Sequence, residues 1–128
     1  GFVYYKNSIA LLPKSSGTGH SESFLKTRYN ATAAAVLETG AKLKDGTSFP
    51  EGSVIVKELY QTEAAITRYA VLYKKKEHAD ADAKGWFWRY IEANGKVTTP
   101  ASAKGSGCQG CHSQSGNIDY MLMKKFFP

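Results

Sequence analysis

Two cysteines and a histidine, in the run Cys108-Gln109-Gly110-Cys111-His112, are spaced for covalent chemistry on a flat ring. Thiols at this spacing reach two vinyl groups on one porphyrin edge as thioethers. The histidine beside the second thiol then falls under the iron. The pattern C-x-x-C-H predicts one haem c, covalent through Cys108 and Cys111, with His112 as a ligand to the metal. Such a group brings redox or ligand-binding chemistry with it. Two other readings use the same residues, a dithiol redox site and half of a zinc site. A thioredoxin-like dithiol should follow a strand and open a helix in a βαβ unit, and no such unit precedes the loop Thr98 to Gly107. A zinc site would need His20 or His78 as its fourth ligand.

The opposite side of the iron decides between electron carrier and catalyst. Met121 and Met123 are soft candidates for it, although methionine also fills irregular core gaps. His20, in a Gly-rich loop, is a third. An open distal position is the favoured state. Lys57 shares a strand face with Ile55 and Leu59, opposite Val54, Val56 and Glu58. A lysine on an apolar face either snorkels to solvent or points at the haem edge. Phe49 could cap the distal pocket or simply be core. Arg28, Arg68 and Arg89 could each pair with haem propionates, because guanidinium matches carboxylate geometry. Glu58, Glu63 and Glu92 are possible distal proton acceptors.

These side chains need a frame. Ser21 or Ser23 can cap a helix running to about Thr39, stopped by Gly40. Ser53 to Tyr60 and Thr67 to Lys74 read as strands. Trp86 to Glu92 and Lys96 to Thr99 pair around Ala93-Asn94-Gly95, a strong hairpin signal. Asn117 to Phe126 could form a last helix, with Ile118, Met121, Leu122 and Phe126 on one face. Residues 1–20 read as irregular. The fold class is therefore α+β, a mainly antiparallel β-sheet with flanking N-terminal and C-terminal helices.

A chain of 128 residues suits one haem-binding domain, 1–128. Eight tyrosines, six phenylalanines and two tryptophans can wall off a flat apolar cofactor. Both cysteines lie in the one motif, so no pair is left for a structural disulfide. Haem c is attached outside the cytoplasmic membrane, so a periplasmic or extracellular location is expected, with a signal peptide already removed ahead of Gly1. The net charge of +6 suits an acidic redox partner or anionic headgroups. Nucleic acid is not expected, because the lysines are scattered and arginines number only three. Lys74-Lys75-Lys76 reads as a solvated strand end.

Taken together, Arg28-Tyr29-Asn30, the run Phe49 to Glu58, Gly85-Trp86-Phe87-Trp88, Cys108 to His112 and Asp119-Tyr120 resemble the cytochrome P-460 family, which includes the cytochromes c′-beta. The resemblance covers roughly His20 to Tyr120. It implies a mainly antiparallel β fold, often dimeric, with one c-type haem and an open distal position. Cytochromes P-460 oxidise hydroxylamine and carry a lysine–porphyrin cross-link, for which Lys57 is the candidate here. Cytochromes c′-beta lack the cross-link and bind nitric oxide or carbon monoxide in a pocket lined by phenylalanines, a role open to Phe49. Arg28 leads the arginines because it lies in a family-like block.

Overall fold

The backbone from Val54 to Glu92 explains most of the architecture. Three seven-residue strands, β4 (Val54–Tyr60), β5 (Arg68–Lys74) and β6 (Trp86–Glu92), follow one another as an antiparallel meander. Each is rich in the β-branched and aromatic residues that fit a pleated, half-buried surface. In the computed structural model, which describes residues 1–14 and 19–120, these strands form the middle of a seven-stranded antiparallel sheet. β7 (Val97–Thr99) pairs with β6 beyond a turn at Ala93-Asn94-Gly95, as the Asn-Gly signal predicts. On the other side β3 (Phe24–Tyr29) pairs with β4, and β3 also carries the two-residue strands β1 (Val3–Tyr4) and β2 (Leu12–Pro13).

The helix expected from Ser21 or Ser23 to Thr39 is absent. Phe24–Tyr29 is strand β3, with alternate residues Leu25, Thr27 and Tyr29 buried. Its stripe at helical spacing lost to backbone pairing, because β1 and β2 line one edge of β3 and β4 the other. Only Ala31–Ala34, called α1, is helical. Its cap is Asn30, whose Oδ1 accepts from Ala33 N at 3.0 Å and from Val54 N at 2.9 Å. The expected last helix fails over its described part. Asp119 and Tyr120 have φ of 45° and 68°, outside any right-handed helix; residues 121–126 lie outside the described residues. The first twenty residues, expected to be irregular, contribute β1 and β2.

The register fixes which side chains share a face, since opposed residues point the same way. One face carries the rows Tyr29–Ile55–Leu72–Trp88, Thr27–Lys57–Ala70–Tyr90 and Leu25–Leu59–Arg68–Glu92. The core packs on this face, where Tyr5, Ala33, Leu43, Phe49, Trp86 and Ile118 join the first row. The opposite face carries Arg28–Val56–Val71–Arg89 and Lys26–Glu58–Tyr69–Ile91. The sequence-based assignment of Lys57 to the face of Ile55 and Leu59 therefore holds.

Candidate functional site

The run Cys108 to His112 is positioned by contacts from both sides. Gln109–His112 is a single helical turn, α2. Ahead of it, Gly105 O accepts from Cys108 N at 2.8 Å and from Gln109 N at 2.9 Å. Gly105 has φ +69, and a Cβ there would come within 2.5 Å of the Trp88 ring, so no side chain fits. Behind α2, Asn117 Nδ2 donates to the carbonyls of Cys111 at 3.1 Å and His112 at 3.0 Å, satisfying acceptors that a short helix leaves open.

The next residues clasp this segment to the sheet. Asp119 receives Lys74 Nζ at 3.0 and 2.9 Å and Phe49 N at 2.8 Å, while its carbonyl receives Trp86 Nε1 at 3.2 Å. The Lys74 side chain is 2% exposed and that of Asp119 7%. The ammonium also stands 4.6 Å over the Trp86 ring. Lys74, expected to be solvated, is thus a buried structural cation.

His112 Nδ1 lies 2.5 Å from the carbonyl oxygen of Tyr120. A carbonyl can only accept, so Nδ1 carries the proton and Nε2 keeps its lone pair, the tautomer that a metal-ligating histidine takes. The ring is walled by Trp88, with centroids 4.9 Å apart at 82°. Burial, opposed by the Tyr120 bond and reinforced by the charge of Lys57, lowers the His112 pKa to about 4. His20 stands nearby, its ring centroid 6.5 Å from that of His112 at 84°. Its Nδ1 lies 2.6 Å from Tyr90 Oη. Burial, then the charges of Lys57 and His112, push the His20 pKa to about 2. Both imidazoles are neutral at pH 7.

Lys57 completes the group. Its own pKa falls to about 8, chiefly through burial, with Cys111 acting the other way. Its neighbour along the row is Ala70, which stands between Lys57 and Tyr90. Cys108 and Cys111 are free, partly buried thiols. Among the described residues, no three His, Cys, Asp or Glu side chains gather as a bare metal ion requires. That arrangement does not fit zinc. It fits a haem: two free thiols on one turn, an imidazole with Nε2 available, and aromatic walls.

A model of the family Cytochrome P460 matches residues 5–123 of the chain. The chain belongs to the cytochrome P460 family. No curated protein and no solved structure matches it. Membership implies haem c as cofactor, and the antiparallel, β-rich fold accords with it.

Other candidates are redistributed within this P460 fold. Arg28 lies on the sheet face opposite Lys57 and Tyr90, paired with Glu58 at 3.1 Å and stacked 4.9 Å from the Phe2 ring. It is not placed to meet propionates beside His112. Glu58, on that same far face, receives Tyr4 and Tyr60 hydroxyls and is no distal base. Arg68 is the arginine at the site. It stacks 4.1 Å from the Tyr90 ring and grips Glu22 through Nε at 2.6 Å and Nη2 at 3.2 Å. Arg89 and Glu63 are exposed, and so is His78, which packs on Phe87. Glu92 sits at the end of β6, taking Thr98 Oγ1 at 3.1 Å.

Of the two roles expected for Phe49, the structure shows the core one. Its ring is core, stacked on Tyr29 at 6.4 Å and edge-on to Trp86 at 5.8 Å, and its N–H serves the Asp119 clasp. Met121 and Met123 lie outside the described residues. Sequence reasoning missed Tyr90, Glu22 and Lys74. The signal for Lys74 was its even spacing from Leu72 on the inner face; Tyr90 and Glu22 gave none, since their partners are far away in the chain.

Proposed function

We propose that this P460-family chain is an exported mono-haem c-type cytochrome that carries electrons. Its haem is attached through Cys108 and Cys111 and held by His112. The observation that supports this best is the Nδ1 contact from His112 to Tyr120 O, which commits the ring to present Nε2 beside two free thiols. When bound, the haem supplies a one-electron couple between ferric and ferrous iron. The chain's own residues orient it. Trp88 braces the His112 ring, and the Lys74–Asp119 clasp keeps Tyr120 O in place. Attachment of haem c outside the cytoplasmic membrane supports export; no helix among the described residues is long and apolar enough to cross a membrane. The net positive charge suits an acidic redox partner.

A second reading rests on Lys57. An amine whose pKa is lowered to about 8 beside Cys111 is a fitting candidate for a porphyrin cross-link and for nitrogen-oxide or hydroxylamine chemistry at an open iron. The test is intact mass after expression with a haem-attachment system. One added haem is expected, and an unmodified chain would refute the first reading. A haem-bearing peptide containing Lys57 would favour the second.

A further inference from the structure

The distance between the two imidazoles carries more than proximity. An imidazole nitrogen binds a first-row metal at about 2.0–2.1 Å. In a conjugated five-membered ring with bonds of ~1.33 Å the nitrogen lies ~1.1 Å from the centroid. Two histidines on opposite sides of one iron therefore have centroids about 6.2–6.4 Å apart. His20 and His112 are 6.5 Å apart. Their interplanar angle of 84° is one that two rings can take while each stands upright on a porphyrin.

The anchoring of the two rings is also parallel. His112 is fixed through Nδ1 by Tyr120 O, and His20 is fixed through Nδ1 by Tyr90 Oη at 2.6 Å. The Tyr90 hydroxyl can accept from Nδ1–H of His20, and in that tautomer each ring is left with a free Nε2. Tyr90 is itself braced by Arg68, and Arg68 by Glu22, which is 3% exposed and two residues from His20. The segment is tied down further by Lys14 N to Ser23 O at 2.8 Å and Ser23 N to Tyr60 O at 3.1 Å. A surface loop histidine has no need of this brace; a ligand does.

We infer that His20 is the second axial ligand of the haem, so that the iron is held between His20 and His112. The inference rests on the haem reading above and replaces the open distal site of that reading's alternative with a closed one. Tyr90, Arg68 and Glu22 are then positioning residues. A six-coordinate bis-imidazole iron exchanges electrons with little rearrangement and admits an external ligand only when His20 lets go. An open form populated at ~0.1–10% lowers apparent affinity for carbon monoxide ~10- to 1,000-fold.

The experiment compares the haem-loaded wild type with His20→Gly and Lys57→Met. Ferric wild type should be low-spin, with the strongly anisotropic resonance of near-perpendicular imidazoles and the near-infrared magnetic dichroism of a bis-nitrogen iron. His20→Gly should keep one covalent haem by mass, turn high-spin, bind carbon monoxide at least about tenfold faster, and return to low spin with added imidazole. Lys57→Met should stay low-spin. A high-spin wild type with haem attached would overturn the ligand assignment and leave the cytochrome reading standing. So would low spin retained in His20→Gly, or a sulfur-ligand signature in wild type. A wild type without covalent haem overturns both. If His20→Gly fails to mature, the wild-type and Lys57→Met spectra together decide.

Discussion

Replacing Asp119 by Asn should be among the most damaging conservative changes in this chain. Asn is nearly isosteric, can still accept from Phe49 N, and tolerates the positive φ of 45° at this position. What it removes is the charge facing Lys74, whose side chain is 2% exposed. Breaking a buried ion pair by deleting one partner costs about 3–5 kcal/mol, because the other charge is left in a poor solvent. With a urea m-value of about 2 kcal/mol/M, the unfolding midpoint should fall by about 2 M. Lys74→Met alone should cost a similar amount. The double variant should be more stable than either single one, since no buried charge is left unpaired. The cycle is measured by urea unfolding of the haem-loaded proteins. The spectrum of the bound haem gives a second readout, because the clasp sets the position of Tyr120 O. A loss below about 1 kcal/mol for Asp119→Asn, or additive single losses, would refute this account of the clasp.

Gly105→Ala should destabilise by about 3 kcal/mol, from a left-handed backbone and a Cβ driven into Trp88; a wild-type urea midpoint and haem content would contradict the close packing described. In a haem-free Cys108→Ala/Cys111→Ala variant, both imidazoles are buried with lowered pKa values, so the unfolded chain binds more protons below pH 6.5. Stability should be full above pH 6.5 and fall as pH drops towards 4, by about 3 kcal/mol for His112 alone; a flat profile over pH 4–6.5 from denaturant titrations would count against their burial. Arg68→Met should cost about 3–5 kcal/mol by stranding Glu22 and should disturb the haem spectrum. Arg28→Met, on the far face, should leave that spectrum unchanged, and equal spectral effects from the two would contradict the face assignment.

Local chemistry made β4 to β7 legible. Alternation along Ser53 to Tyr60 even put Lys57 on its observed face, and the Asn94-Gly95 turn marked the hairpin. β3 was not legible, because Phe24, Arg28 and the alanines after Asn30 satisfy a helical stripe as well as a pleat. Only pairing on both edges decides between them, and those partners lie far along the chain. Lys74 was misread for the same reason, its counter-charge being Asp119. At the site, C-x-x-C-H named His112, but a backbone carbonyl holds that ring, and carbonyls leave no mark in a sequence. Arg28 was preferred over Arg68 by motif, whereas strand parity separates them: the register puts Arg68 on the face of Tyr90 and Arg28 on the opposite one.

The meeting of His20 and His112 has a topological side. One residue enters the fold just before β3 and the other after β7, so an iron held by both would close a loop of about ninety residues around the whole meander. A link across a loop of that length removes roughly 4–5 kcal/mol of unfolded-chain entropy in the cross-link model. Thioethers alone tie the cofactor to one end of the chain and close no such loop. With both imidazoles on one iron, displacing the weaker bond would change the connectivity of the polypeptide as well as its colour. Ligand exchange at the iron would then be felt mechanically by the segment that leads into β3.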